Sequence, residues 1–172
     1  KRHGATGVGD FKEMGYLPEA LCNYLLRLGW SHGDDEIISR EDAVKWFDFN
    51  GVGQGAARFN IAKLDSLNSA YLRKMSKSSL LDVVVERLST RVERKLVDEE
   101  RQRVLISLDE LRKRAKTLND LVEGALIFIE RPKLPLVNPR AAKLIEGNAV
   151  ILLSKVNEIL TAPGDWTASR LE

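Results

Sequence analysis

The chain has 172 residues, of which 27 are Lys or Arg and 25 are Asp or Glu, so its formal net charge is +2. With 44% hydrophobic and 30% charged residues, the composition excludes a disordered or membrane-embedded chain. The near-neutral total excludes a uniformly basic nucleic-acid binder, so any such function must depend on local patches. Because Cys22 is the single cysteine, an internal disulfide is excluded, and a reducing compartment fits.

The first half of the chain predicts helices separated by short loops. A helical apolar pattern extends over residues 10–28 and ends at Gly29. Ser39 is placed to cap a short helix. The glycines of residues 50–55 predict a loop or turn, and apolar spacing predicts a further helix over residues 61–71.

The second half predicts four more helical segments. Residues 80–88 contain three consecutive valines, which are compatible with a strand, but helical apolar spacing favours a helix. Residues 96–116 and 118–129 predict the next two helices. Asn138–Pro139 is a strong helix start, a cap followed by a first-turn proline, and residues 144–160 continue the helical pattern, with a break predicted near Gly147.

Few segments alternate with a period of two, so the chain is predicted to be mostly α. A boundary between two parts is expected near residues 72–78. Residues 74–78 spell KMSKS, the phosphate-binding signature of class I aminoacyl-tRNA synthetases. Because this copy follows a helix and no nucleotide-binding βαβ unit precedes it, we interpret it as a chance match.

Three features near the start of the chain are candidate chemical sites. Gly4, Gly7 and Gly9 form a glycine cluster that is either a flexible turn or a loose phosphate contact. Cys22 lies in an amphipathic helix, where it is predicted to be buried, although a Cys–His nucleophile pair stays open. The acidic residues 34–36 are interpreted as a solvated charge run, because the rest of a calcium-loop pattern is absent.

Residues 86–116 carry ten basic and seven acidic side chains. One interpretation is an exposed, salt-bridged helical surface. The other is a face that follows the phosphates of a nucleic acid, with arginines that stack on or bind unpaired bases in an RNA loop. The basic residues are densest at Arg112, Lys113, Arg114 and Lys116, with no acidic residue among positions 111–119.

Residues 1–73 contain a dense series of short motifs, and they are KRHGA (1–5), GYLPEAL (15–21), NYL (23–25), RLGWS (27–31), FD (47–48), ARFN (57–60), KL (63–64), Asn68 and YLR (71–73). In these motifs the chain resembles bacterial glutamyl-tRNA synthetases, a class I family. The first segment is similar to the end of that family's KLSKR-HGA signature, which starts three residues earlier, so we expect a fragment of a longer protein. Beyond residue 73 the resemblance thins to a helical pattern and to KTLNDL at residues 116–121.

The resemblance implies a domain assignment. Residues 1–73 correspond to a stem-contact region that includes the end of the signature loop. Residues 74–132 correspond to a first helical subdomain of the all-helical anticodon-binding cage, and residues 133–172 to the incomplete start of a second. The fold class expected from the resemblance is therefore mostly α, as the apolar spacing also predicts.

The resemblance also implies a function for the parent protein, an ATP-dependent ligase that attaches glutamate to tRNA(Glu) in two steps. Lys1 corresponds to the second lysine of the signature, a catalytic and ATP-binding residue whose ammonium offsets charge developing on the phosphates, and Arg2 is a second ATP contact. The parent requires L-glutamate, ATP and Mg²⁺, whereas no zinc or other metal site is expected in this stretch. We expect a cytoplasmic monomer without membrane contact, and tRNA(Gln) stays open as a second tRNA.

By itself the chain is expected to bind tRNA and to catalyse nothing. The candidates for phosphate contacts in the stem-contact region are Arg58, Lys63 and Arg73. Arg112 and Arg114 are candidates for base contacts, chosen by charge and position, and Lys116 is a further candidate tRNA contact. The main alternative is a non-catalytic helical interaction module whose basic face serves a protein partner. A small intact enzyme that uses Cys22 or His32 is the third hypothesis.

Overall fold

The computed structural model describes residues 7–53, 55, 57–131 and 139–162. These residues form helices without a regular strand, which confirms the mostly α prediction. The chain divides into two units at the step from Arg131 to Pro132. The helices are α1 (Val8–Glu13), α2 (Pro18–Gly29), α3 (Arg40–Trp46), α4 (Ile61–Lys74), α5 (Lys77–Arg91), α6 (Asp98–Arg114), α7 (Leu118–Leu126), α8 (Pro139–Leu144) and α9 (Asn148–Thr161).

The first unit is held together by two adjoining hydrophobic clusters. In the smaller cluster, Tyr24 of α2 packs with Leu64 of α4 and with Phe11 of α1. The larger cluster joins α5, α6 and α7 around Leu88 and Leu108, and Leu72 extends it to α4. Because α4 contributes to both clusters, the side chains on its surface have fixed positions relative to α2 and to α6.

Polar caps define several helix starts. Ser39 accepts a hydrogen bond from the backbone N–H of Asp42 at 3.0 Å, as the sequence predicted for α3. Thr117 caps α7 in the same way, and Ser76 caps α5. The KMSKS letters therefore span the junction at which α4 ends and α5 begins, which confirms the predicted helix end.

Three sequence predictions need correction or refinement. The helical pattern over residues 10–28 is two helices, because Gly15 has a φ of +88° and turns the chain between α1 and α2. The helix predicted over residues 118–129 ends at Leu126. Cys22 is exposed, which contradicts its predicted burial. It lies on the outer face of α2, next to the buried Leu21 in sequence but not in the core.

The second unit is described over α8 and α9. Gly147, with a φ of +61°, lies between the two helices, so the break predicted near this glycine is confirmed. Pro139 is the first residue of α8, whereas Asn138, its predicted cap, lies outside the described residues. None of the helices in the described ranges combines the length and the apolar character that a membrane span requires.

Candidate nucleic-acid interface

A groove of about 310 Å³ lies beside α2 and α4, and four basic side chains line it. Lys63 and Arg73 come from α4, Arg27 from the last turn of α2, and Arg58 from the segment before α4. We call these four residues the basic groove. Among the described residues that line this groove, Glu36 is the one carboxylate. Arg58, Lys63 and Arg73 were predicted separately as stem contacts, and the structure places all three around one groove.

Arg27, the fourth cation of the groove, was not among the contacts predicted from the sequence. It is the single cation of α2 and lies outside the apolar stripe that packs on α4. Its guanidinium is 3.9 Å from the carboxylate of Glu36, and both side chains are at least one-third exposed. An ion pair of that length and exposure is weak, so Arg27 retains most of its capacity to bind an anion.

The α4 side of the groove is a stripe at helical spacing. Lys63, Ser66, Ala70 and Arg73 are three, four and three residues apart, so they share one face. The two central side chains are small, so a phosphate backbone can approach the helix closely there. Since α4 rises about 1.5 Å per residue, the two cations stand roughly 15 Å apart along its axis.

Hydrogen bonds fix the remaining walls of the groove. The hydroxyl of Tyr24 accepts a hydrogen bond from the backbone N–H of Asn60 at 2.6 Å, which holds the segment that carries Arg58 against α2. The Nη1 atom of Arg73 donates to the Oγ atom of Ser69 at 2.8 Å, and that hydroxyl in turn donates to the carbonyl of Ala115 at 2.7 Å. Arg73 is therefore oriented by a neutral partner and keeps its charge unpaired within the described part of the chain.

The other three predicted contacts do not form one surface. Arg112 is half-buried, and its Nη2 atom lies 2.7 Å from the carboxylate of Asp109. The Nζ atom of Lys116 lies 3.6 Å from the carboxylate of Asp65. Arg114 is exposed and shares a shallow pocket with Asp120 and Gly124 on the α7 side. Because Arg112 and Arg114 are two positions apart on α6, they point to different sides of the helix.

Asp109 explains why Arg112 is less available than its charge suggests. A hydrogen bond from Lys77, at 2.7 Å, is the main factor that holds the pKa of the Asp109 carboxyl below its ordinary value, and the charge of Arg112 adds to the effect. Asp109 is therefore ionised at neutral pH and lies between two cations. Lys77, the second lysine of the KMSKS letters, therefore forms an ion pair with Asp109 of α6.

Much of the charge on residues 86–116 is paired in the same way, as the salt-bridged interpretation predicted. In the pair of Arg94 with Glu100, two guanidinium nitrogens donate to the carboxylate, each at 2.8 Å. Longer pairs join Arg101 to Asp82 at 3.7 Å and Arg91 to Glu123 at 3.9 Å. Within α6, Lys113 pairs with Glu110 at 2.6 Å.

A buried polar network connects the α6–α7 turn to α4 and to the turn before α2. The side chain of Asn68 is fully buried. Its Oδ1 atom accepts from the backbone N–H of Leu17 at 2.8 Å, and its Nδ2 atom donates to the carbonyl of Lys116 at 2.5 Å. Tyr16 donates to Asp65 at 2.6 Å; burial, followed by this carboxylate, raises the pKa of the Tyr16 hydroxyl, so it stays protonated.

The other weighed residues are placed apart from the basic groove. His32 is an exposed loop residue whose Nδ1 atom lies 3.1 Å from the carboxylate of Asp35. Cys22 is an exposed residue of α2 and forms no hydrogen bond with His32. Gly7 and Gly9 lie at the start of α1, whereas Lys1, Arg2 and Gly4 lie outside the described residues. Within the described ranges, no three His, Cys, Asp or Glu side chains are grouped so that they could hold a metal ion.

Two family models match the chain. The model described as the catalytic domain of class I tRNA synthetases (E and Q) matches residues 1–66. The model described as an anticodon binding domain matches residues 44–172, about three-quarters of the chain. The two matches overlap over residues 44–66, which contain Arg58 and Lys63 of the basic groove. Arg27 lies in the first match alone, and Arg73 and the α6–α7 turn lie in the second alone.

Curated relatives and solved structures agree with these matches. Glutamate–tRNA ligase 1 of Mesorhizobium japonicum is 47% identical over the whole chain, which spans 37% of that relative. Glutamate–tRNA ligase 2 of Rhodospirillum centenum is 42% identical, and the chain spans 36% of it. The crystal structure of a glutamate tRNA ligase from Elizabethkingia meningosepticum superposes with a TM-score of 0.70 at 28% identity, covering 89% of this chain and 30% of that one. The chain thus spans about a third of the length of the relatives it matches.

Proposed function

The chain belongs to the anticodon-binding-domain family, and from its similarity to glutamate–tRNA ligases we propose that it is the tRNA-binding part of such an enzyme. The observation that carries the proposal is the basic groove. Four cations with one acidic neighbour line a concave surface, and a surface of this charge attracts a phosphate backbone. A small molecule would need a more enclosed and more apolar cavity.

The groove is suited to a stem rather than to individual bases. Its cations lie on two elements, with the small side chains of Ser66 and Ala70 between Lys63 and Arg73. Phosphate contacts position a nucleic acid without selecting its sequence. We therefore propose that the groove holds the tRNA by its backbone and that selection of tRNA(Glu), or of tRNA(Gln) as a second candidate, takes place elsewhere.

We propose that the tRNA is selected at the C-terminal end of α6. Arg114 is exposed and has no ion-pair partner within the described residues, whereas Arg112 and Lys116 have carboxylate neighbours. An exposed arginine can stack on an unpaired base or donate two hydrogen bonds to its edge. Arg114 is therefore the strongest of the three candidates for an anticodon contact.

Catalysis is proposed for the whole ligase and not for this chain alone. The reaction would join L-glutamate to tRNA with ATP and Mg²⁺, in a monomeric cytoplasmic enzyme. Lys1 would stabilise the phosphates of ATP as the second lysine of the KLSKR signature, with Arg2 beside it. Both residues lie outside the described ranges, so the proposal for them rests on sequence similarity.

Titration of the chain with tRNA(Glu) and with an unrelated tRNA at two salt concentrations tests RNA binding. If the groove holds phosphates, affinity falls as salt rises, and Lys63→Ala with Arg73→Ala lowers the slope of log affinity against log salt by about 2. The same loss is expected for both tRNAs. Lys95→Ala, which removes an exposed cation outside the groove, is the control and should leave the slope nearly unchanged. An unaltered slope in the double variant would contradict the proposal.

A further inference from the structure

A second surface of the first unit differs from the basic groove in both shape and charge. It contains four exposed apolar side chains on α3 and on the loop that follows. The side chains and their exposed fractions are Val44 at 78%, Phe47 at 49%, Phe49 at 87% and Val52 at 45%. We call these four residues the aromatic surface, after its two phenylalanines. Single exposed apolar residues need no explanation, but a group of this kind marks an interaction site.

The loop that presents these side chains is held in place by the buried Trp30. The indole Nε1 atom of Trp30 donates to the carbonyl of Asp48 at 3.0 Å, and the backbone of Trp30 forms an antiparallel bridge with Val52. Gly51 lies so close to the indole that a Cβ atom there would be 2.5 Å from Nε1. The exposure of Phe47 and Phe49 is thus a property of an anchored loop.

Ring contacts continue from Trp30 to the surface. The ring centroids of Trp30 and Phe47 are 5.8 Å apart, and those of Phe47 and Phe49 are 6.0 Å apart with the rings at 71°. Phe49 is therefore the outermost member of a packed series that begins in the core. Because Phe49 is 87% exposed, the fold buries little of its apolar area, and most of that area remains available to a partner.

The electrostatic environment excludes RNA as the natural partner of this surface. Residues 30–53 carry six carboxylates and two cations, in contrast to the basic groove. Asp48 lies between Phe47 and Phe49 in sequence, and its Oδ1 atom accepts from the N–H of Gly51 at 2.8 Å. Glu41 precedes Val44 by three residues on α3, so it shares that face. A phosphate backbone would be repelled here, whereas lysines or arginines would be attracted.

We propose that the aromatic surface docks a protein segment that presents apolar side chains flanked by lysine or arginine. The apolar residues would cover Phe49 and its neighbours, and the cations would meet the carboxylates at the rim. This interaction is separate from RNA binding, because it uses other residues of the opposite charge. It holds whether or not the basic groove binds tRNA.

NMR spectra of the 172-residue chain, with the indole signals of Trp30 and Trp46 as reporters, test the proposal. The probe is a 12-residue peptide that alternates Leu or Phe with Lys, compared with the same peptide carrying Glu in place of Lys and with a 12-nucleotide single-stranded RNA. We expect the lysine peptide to shift the indole signals, and its affinity to weaken with added salt. The glutamate peptide and the RNA should leave the signals in place.

Phe49→Ser removes the outermost ring and should weaken binding of the lysine peptide at least fivefold, roughly the effect of losing 1 kcal/mol. Ile106→Ser is the matched control, since Ile106 is 73% exposed on α6, and it should bind like the unaltered chain. Equal affinity for the two variants would overturn the proposal. It would also be overturned if RNA shifted the indole signals, or if the chain alone formed a dimer that Phe49→Ser dissolves.

Discussion

Asn68 donates a hydrogen bond from its fully buried side chain to the backbone carbonyl of Lys116, 2.5 Å away. The two residues are 48 positions apart. Asn68 lies on α4, which contributes Lys63 and Arg73 to the basic groove, and Lys116 lies in the turn that follows Arg114, the last residue of α6. The same side chain accepts from the N–H of Leu17. One amide thus fixes three segments, and it sets the spacing between the two proposed RNA contacts.

Asn68→Ala is expected to destabilise the first unit by about 2–4 kcal/mol, because it leaves the N–H of Leu17 and the carbonyl of Lys116 without their partner. Urea denaturation followed by circular dichroism measures the change. Gln102→Ala, which removes an exposed amide from α6, is the control, with an expected change within about 0.5 kcal/mol. Similar stabilities of the two variants would show that water replaces the Asn68 bonds.

The helices were predictable from sequence because local rules define them. Ser39 and Thr117 are placed as caps, and apolar spacing identifies the buried faces of α4 and α5. The predictions needed correction where tertiary contacts determine which side chains are buried. Cys22 fits an apolar pattern but lies on the outer side of α2, because only one face of that helix packs on α4.

The site was predictable only in part. Arg58, Lys63 and Arg73 were chosen from charge and resemblance, and the structure places them around one groove. Arg27 was missed because its place in the same groove as Lys63 depends on how α2 packs against α4. Arg112 and Arg114 were grouped by sequence density, whereas helix geometry separates them, and Asp109 pairs with one of the two.

Gly15→Ala is expected to destabilise the chain by about 1–3 kcal/mol, since Gly15 has a φ of +88° and a Cβ there would lie 2.8 Å from the backbone nitrogen of Asn119. The carbonyl of Gly15 also accepts from the N–H of Leu118, so the strain would reach the α6–α7 turn. Thermal denaturation measures the effect. Gly29→Ala is the matched control, because no atom lies within 4 Å of its added Cβ; an equal loss there would contradict the argument.

Acid should weaken the contact between the end of α5 and the start of α6. Hydrogen bonds from Arg94 lower the pKa of the Glu100 carboxyl to about 2, from an ordinary value of 4.5. A carboxyl with a lowered pKa in the folded state contributes stability that is complete above about pH 4.5 and is lost as the pH falls towards 2. Because Arg94 is partly exposed, we expect the contribution to be about 1 kcal/mol.

The comparison of Glu100→Gln with the unaltered chain tests this pH dependence. The difference in the free energy of unfolding should be largest at neutral pH and should shrink between about pH 4.5 and pH 2, as Glu100 becomes protonated in the unaltered chain. Glu99→Gln, at the exposed neighbouring position, should show no such trend. A difference that stays constant down to pH 2.5 would assign the effect of Glu100 to packing instead of charge.

Arg114→Ala and Arg112→Ala should differ in their effect on RNA binding, although both remove one cation from α6. Arg112 is engaged by Asp109 at 2.7 Å, so its loss should weaken binding of the tRNA(Glu) anticodon stem–loop by less than about twofold. Arg114 is exposed and unpaired within the described residues, and its loss should weaken binding at least about fivefold. Fluorescence anisotropy with a labelled stem–loop measures both, and the double variant should resemble Arg114→Ala. If Arg112→Ala has the larger effect, Asp109 must release Arg112 when RNA binds, and Arg114 is not the principal contact.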